Sequence, residues 1–289
     1  MIIGVTMFLI FLLLLAIGFP IAYSMIFASL VALFLGGYSF EVFPIQTVEG
    51  IYGYTLLAVP LFILAGNLMN TAGITQRIFE FCVAIIGFVR GGLAQVNILA
   101  SIIFAGISGT AVGDQAGLGA IEMRAMVEKG YSKGYSASLV LASSVIGGII
   151  PPSVPLIVYA YLAEVSVEQL FIAGIIPGLL IAITLGIFVY TQILSGKTYA
   201  PEAAEFKISY VATTFKKGFF ALLAPVVILG GMLGGIVTPT EAGAIAAAYA
   251  LVCAAIYKEF NYKNLKEGFM TSIGSTALIM FMVGVGTAM

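Results

Sequence analysis

Long apolar runs divided by short polar segments fill this chain. Five of them, at residues 53 to 70, 135 to 161, 169 to 194, 219 to 236 and 242 to 257, lie near the ~17 to 25 residues that a membrane-crossing helix needs. Residues 2 to 36 are apolar too, but Gly18 and Pro20 interrupt them, which suits either two short spans or one long bent helix. The pattern leaves the side of the N-terminus open. Residues 78 to 89 would extend only about 18 Å at ~1.5 Å per residue, too short for a hydrocarbon core of ~30 Å. With Arg77 and Arg90 at its ends, that segment reads as a helix lying along the cytoplasmic interface.

The polar segments alternate in charge. Residues 37 to 52 carry Glu41 and Glu49, 162 to 168 carry Glu164 and Glu168, and 237 to 241 carry Glu241, all without a basic residue. Between them, 124 to 134 hold Arg124, Lys129 and Lys133, 196 to 218 hold Lys197, Lys207, Lys216 and Lys217, and 258 to 268 hold Lys258, Lys263 and Lys266. Short cytoplasmic loops are enriched in Lys and Arg, so the order reads out, in, out, in, out, in. Arg90 and Lys129 then share a side, and residues 91 to 128 must enter and leave by the same face. A re-entrant hairpin with its tip near GISGTAVGD, residues 106 to 114, does this. Two complete crossings are the alternative, and they would put Ser108 to Asp114 in an outer loop.

Composition agrees and removes several classes of function. With 61% hydrophobic and 9% charged residues and a mean hydropathy of +1.15, the chain reads as an all-α polytopic membrane protein, a single integral membrane domain over 1–289. A net charge of −1 gives no basic field for nucleic acid. The absence of histidine excludes Ser-His-Asp and Cys-His catalysis. Cys82 and Cys253 each sit inside an apolar run and suggest neither a transition-metal site nor a disulfide framework. The first twenty residues lack the basic n-region of a secretory signal and read as a retained helix. Gly196-Lys197-Thr198 resembles the end of a phosphate-binding loop, but Thr191 stands where the first glycine belongs. Uphill transport would therefore draw on an ion gradient or on a separate subunit.

The chemistry concentrates between residues 104 and 155, where glycines, hydroxyls, Asp114 and three prolines interrupt apolar sequence. A bilayer accepts broken helices only where they are buried in protein or line a cavity. Carriers of several folds place such helices at the midplane. Pro151, Pro152 and Pro155 lack amide hydrogens and release the carbonyls of Gly147, Gly148 and Pro151. Ser144, Gly147, Gly148 and Pro151 follow an i, i+3, i+4, i+7 pattern, so on an α-helix they share a face suited to sodium. Beyond the break, Ser153 can cap a second half-helix whose leading N–H groups suit a carboxylate. A proline kink that only shapes packing is the plainer alternative.

At the hairpin tip Ser108, Gly109 and Thr110 supply two hydroxyls and a flexible backbone. Asp114 adds a carboxylate, which at ~2.5 to 3.5 kcal/mol in a bilayer centre should face protein, water or an ion, and which equally suits the cap of the second hairpin helix. No second ionisable group is expected beside it in the membrane core, which argues against an intramembrane acid–base enzyme. Gly113, Gly117 and Gly119 read as helix contacts, and Gly231 with Gly235 as a GxxxG packing face. Thr238-Pro239-Thr240-Glu241 has the form of a capping box that starts a helix at 239. Asn67 and Asn70 suit interhelical hydrogen bonds as readily as transport.

Four strings carry a resemblance: PLFILAGNLMNTAGIT at 60 to 75, GGLAQVNILASIIFAGISGTAVGDQAGLGAI at 91 to 121, MVEKGYSKGYSASLVLASSVIGGIIPPSVPLIVYA at 126 to 160, and GGIVTPTEAGAIAAAYALV at 234 to 252. In this order they resemble the large membrane subunit of TRAP transporters, the tripartite ATP-independent periplasmic transporters, of the DctM type. The resemblance implies an elevator-type carrier of a bacterial or archaeal cytoplasmic (inner) membrane. It would take up organic acids such as C4-dicarboxylates or sialic acid, with sodium as coupling ion and no other cofactor. It also implies two partners, a small TRAP membrane subunit and an extracytoplasmic substrate-binding protein.

Carried over by position, 91–128 becomes the first re-entrant hairpin and 135–161 the neighbouring broken transmembrane helix. Ser108, Gly109, Thr110, Ser144, Gly147 and Gly148 would form a sodium site, with Asp114, Pro151, Pro152 and Ser153 facing substrate. The family should show a second hairpin and a second Pro-Pro break, and neither is present. The chain is thus expected to be a fragment, 219–289 being the start of the second inverted repeat. A related sodium and carboxylate carrier that needs no binding protein is the alternative.

Overall fold

The computed structural model describes residues 2–196, 198–199, 201 and 205–289, among which every regular element is helical. They divide into two compact units, one running up to Leu56 together with Ile273–Met289, the other Leu57–Ser272.

In the first unit α1 (Ile2–Ala16) and α2 (Ile21–Gly36) pack against each other. Gly18, at φ 88°, and Pro20 stop one helix and start the next, so two helices form rather than a single bent one. Residues 37 to 52, read as a loop, instead contain α3 (Val42–Glu49). Its register is fixed by packing: a Cβ at Gly284 would stand 2.6 Å from the Thr47 carbonyl, so only glycine fits there.

The second unit contains α4 (Ala58–Thr71), α5 (Ile74–Ile86), α6 (Gly92–Ser108), α7 (Ala111–Asp114), α8 (Ala120–Glu128), α9 (Lys133–Ser144), α10 (Val154–Leu162), α11 (Val167–Leu194), α12 (Ile208–Leu233) and α13 (Pro239–Ile256). The start of α14 (Tyr262–Ala288) belongs to it as well. Buried along most of its length, α6 is packed by α4, α5, α9, α11 and α12. Arg77 at the start of α5 lies 3.8 Å above the Tyr257 ring, donates to the Gly73 carbonyl at 2.8 Å and pairs with Glu259 at 3.6 Å. That cluster ties the short helix to the end of α13.

Five helices among the described residues are long and apolar enough to cross a membrane: Tyr54–Thr71, Val167–Leu194, Ile208–Leu233, Pro239–Ile256 and Tyr262–Ala288. On α11 the outward face is Ile172, Ile176, Leu180, Ile183 and Ile187, while Gly174, Gly178 and Ala182 turn inward. Large apolar residues outside and small ones inside is the arrangement of a helix whose solvent is lipid.

Several boundaries differ from the sequence reading. α12 begins at Ile208, so Lys216 and Lys217 stand on a helix, as do Lys263 and Lys266 on α14. Lys197 lies outside the described residues. Long lysine stems cover apolar surface while the ammonium reaches water, so a helix can run on through them. The GxxxG reading is also corrected: α12 stops at Leu233, and Gly235, at φ 67°, is an exposed turn residue. The capping box is present, with the Thr238 hydroxyl accepting from the Glu241 amide and the Glu241 carboxylate accepting from the Thr238 amide at 2.8 Å.

Candidate functional site

Two interruptions of the helical backbone meet inside the second unit. The first follows α6. Gly109 takes the left-handed conformation at φ 63° and ends that helix, and Thr110 starts the next, its hydroxyl accepting from the Gly113 amide at 2.9 Å. The returning arm runs through α7, one π-helical segment, Gln115–Gly119, and α8, and packs back against α6.

The second interruption follows α9. Its α-helical bonding ends at Ser144, a 3-10 turn covers Val145–Gly148, and α10 begins only after Ser153, with the peptide bond between Pro151 and Pro152 cis. The expectation that Ser144, Gly147, Gly148 and Pro151 share one α-helical face is therefore corrected, because a tighter turn replaces that helix. Ile150 donates to Ile146 at 2.9 Å, and the amide that would reach Gly147 belongs to Pro151, which has none. Gly148 is already used: its carbonyl accepts from the Ser153 hydroxyl at 2.6 Å.

The breaks touch through backbone. The Gly109 carbonyl accepts from the Val154 amide at 2.8 Å. A Cβ at Gly109 would stand 2.9 Å from the Pro152 carbonyl, and one at Gly147 would stand 3.4 Å from the Thr110 carbonyl and 3.6 Å from Asp114 Cβ. Gln115 Nε2 donates to Ser144 Oγ at 2.8 Å, and that hydroxyl donates to the Leu141 carbonyl at 2.9 Å. Ser108 donates only a long bond, 3.5 Å, to the Thr110 carbonyl. Ser108, Gly109, Ser144, Gly147, Pro151, Pro152 and Ser153 are buried, whereas Thr110 and Gly148 are half-buried.

This geometry narrows the reading of the α10 N-terminus as open to an anion. Val154 donates to Gly109, Pro155 has no amide hydrogen, Leu156 donates to Ser153 Oγ at 3.3 Å, and Ile157 donates to the Ser153 carbonyl at 3.0 Å. Among these leading amides only that of the N-cap, Ser153, has no acceptor among the described residues, and Ser153 is buried. The hairpin's returning arm differs, because the amides of Ala111 and Val112 have no acceptor among the described residues and Val112 is exposed.

Asp114 does not cap the returning arm; Thr110 does. Its carboxylate is instead 2% exposed, with both oxygens lacking a hydrogen-bond partner. The expectation that no second ionisable group accompanies it is overturned as well. Glu122, on the same arm, is also 2% exposed and accepts from Asn97 Nδ2. The sequence reading passed over Glu122 because it lies two residues from the charges of the following loop, and passed over Asn97 and Ser101 because they stand among apolar neighbours.

Small residues let the breaks seat. Gly66 on α4 backs the tip, where a Cβ would meet Ser108 Cα at 3.2 Å, and Gly174 on α11 admits the Ile149 carbonyl at 2.6 Å from its Cβ position. Gly117 and Gly119 face Asn70 and Val140, as helix contacts should, whereas Gly113 faces its own cap, Thr110. Asn67 makes an interhelical bond, 2.9 Å, to Ser272, and Asn70 accepts from Thr75 at 2.6 Å.

A polytopic helical membrane protein with two polar backbone breaks docked against each other has the architecture of a carrier. Residues 8–289 match the family described as tripartite ATP-independent periplasmic transporter, DctM component, and the chain belongs to that family. It is 40% identical over 272 residues to the sialic acid TRAP transporter large permease SiaM of Vibrio cholerae, covering 92% of this chain and 62% of that protein. Against the sialic acid TRAP permease SiaT of Haemophilus influenzae it is 37% identical, over 95% of this chain and 45% of the relative. Against the C4-dicarboxylate large permease DctM of Pseudomonas aeruginosa it is also 37% identical, over 80% and 54%. The chain thus spans roughly half the length of these relatives. It is a multi-pass protein of the inner membrane and stands among transporter permeases, not enzymes.

Proposed function

We propose that this chain works within the large membrane subunit of a sodium-coupled, binding-protein-dependent carrier for organic acids, and that residues 91–128 form a re-entrant hairpin. The docking of the two breaks carries the reading, since the 2.8 Å bond from Val154 to Gly109 joins the break that carries the buried Ser108 and half-buried Thr110 hydroxyls to the break that follows the buried Ser144. A hard monovalent cation takes such oxygen donors. Asp114 stands beside Gly147, its Cβ 3.6 Å from where a Gly147 Cβ would lie, and its negative charge would balance that cation. An organic acid, of the C4-dicarboxylate or sialic acid kind that the relatives' names carry, would approach from the Ala111 and Val112 amides. A small membrane subunit and an extracytoplasmic binding protein complete the assembly.

The test is sodium-dependent uptake into proteoliposomes holding the complete transporter with both partners. Ser144→Ala and Ser108→Ala should each raise the sodium concentration for half-maximal uptake severalfold; an unchanged value would remove these hydroxyls from the site. Uptake that persists without the binding protein would point to a carrier working alone. Cysteines placed at Lys129 and Lys133 should resist labelling from outside intact cells, and labelling there would overturn the hairpin topology.

A further inference from the structure

Between the two arms of the hairpin lies a polar cluster that the contact between the breaks does not use. Asn97 and Ser101 stand one turn apart on α6 and face Asp114 and Glu122 on the returning arm; all four are at most 2% exposed. One well-aligned hydrogen bond is made among them, from Asn97 Nδ2 to Glu122 Oε2, and the Ser101 hydroxyl lies against the Asp114 carboxylate. Asn97 Oδ1, Ser101 Oγ, both Asp114 oxygens and Glu122 Oε1 are left buried without partners. Acceptors outnumber donors, the second Asn97 N–H and the serine hydroxyl being the donors to spare. No cation balances Glu122: the ion pairs among the described residues are Arg77 with Glu259 and Lys207 with Glu205. The titratable groups near it are Asp114 on its own arm and Cys82 from α5, and neither brings positive charge.

An amide and a carboxylic acid have matching edges. Once the amide N–H donates to one carboxyl oxygen, the two atoms left on that edge are the amide oxygen and the second carboxyl oxygen. With the carboxyl ionised both are acceptors and neither is satisfied; with a proton on the second oxygen they close a ring of two hydrogen bonds. The leftover atoms here are Asn97 Oδ1 and Glu122 Oε1. A buried carboxylate without a counter-charge takes up a proton in preference to staying charged.

We propose that Glu122 is a proton-binding site inside the hairpin, held as a neutral acid whose O–H at Oε1 donates to Asn97 Oδ1 and clasps α8 to α6. The proton comes from water as the arms close. Asp114 is then the carboxylate left for a cation to balance. If the transport reading above is right, the moving hairpin carries one carboxylate for one sodium ion.

The test is infrared spectroscopy of the whole chain in lipid nanodiscs, without sodium or substrate, at about pH 8, more than three pH units above an ordinary glutamate. A protonated-carboxyl C=O stretch should be present in Asp114→Asn, shift in D2O and be lost when Glu122→Gln is added, which keeps the doubly bonded ring as an amide pair. Asn97→Ala should keep the band but move it to higher frequency. Absence of the band at about pH 8 in the unsubstituted chain overturns the proposal without need of any variant. So does a band that Glu122→Gln leaves undiminished, or, in an Asp114→Asn background that removes the other buried carboxyl, one unmoved by Asn97→Ala or one that sodium abolishes at constant pH, which would make Glu122 an ionised cation ligand. Because the readout involves no transport, its failure leaves the carrier reading standing, and a failed uptake experiment leaves the proton site standing.

Discussion

The hairpin tip and the proline break both interrupt a buried helix, but they dispose of their backbone groups in opposite ways. At the tip, a left-handed Gly109 turns the chain and Thr110 satisfies one amide, leaving those of Ala111 and Val112 without an acceptor. At the proline break, the ring nitrogens remove donors, and Ser153 both donates to Gly148 and accepts from Leu156. Its Val154 amide is taken by Gly109. The glycine break leaves two successive amides unpaired, whereas the proline break capped by serine closes largely on itself. In the carrier proposed above, the cation-facing and anion-facing roles would fall on different segments, not on the two ends of one broken helix.

The largest effect should come from the residue that joins the two. Gly109→Ala forces a side chain into a left-handed backbone, costing about 1–3 kcal/mol before its clash with the Pro152 carbonyl is counted. Thermal unfolding in lipid nanodiscs should show a lost or strongly lowered transition, and an unchanged one would mean that the breaks do not dock. Ser153→Ala removes both a cap and the donor to Gly148, for about 1–2 kcal/mol in the same assay. Thr110→Ala should cost about 1 kcal/mol as the loss of a single cap, with Thr110→Ser restoring it. A Thr110 effect larger than that of Ser153 would reverse the contrast between an open and a closed break.

Gly147→Ala should leave stability nearly untouched, because its new methyl would meet Thr110 and Asp114 at ordinary contact distances. The same change should raise the sodium requirement of uptake in the complete transporter; equal insensitivity in both assays would exclude Gly147 from the cation site. The smallest change belongs to Glu241→Gln at the exposed Thr238 cap, whose Pro and hydroxyl repeat the Ser153 arrangement in water instead of protein. A thermal shift there as large as for Ser153→Ala would show that burial adds nothing to the cap.

Local chemistry was readable from the residues themselves. Gly18 with Pro20, the Ser153 cap and the Thr238 box each depend on a few neighbouring residues, and the structure has all three where the sequence puts them. Misreadings arose where a distant segment decides the outcome. Thr110 and Asp114 are both good caps by composition, and the choice of Thr110 follows from the turn at Gly109. The α10 amides looked free until the Gly109 carbonyl arrived from 45 positions earlier in the chain. Glu122 carries a loop-like charge in sequence, but the α6 side chains opposite it make it an interior group. α3 was missed because its neighbour is Gly284.

The sequence by itself determined that this chain is a helical membrane protein of the DctM family with two breaks between residues 104 and 155, because apolar length, missing proline amides and glycine freedom are properties of the residues in order. Only the tertiary structure decided which carbonyls and amides remain available, and that Asn97, Ser101, Asp114 and Glu122 form one buried cluster. Those outcomes depend on what lies opposite each group across the hairpin, and hydrogen-bond satisfaction is settled between segments far apart in the chain.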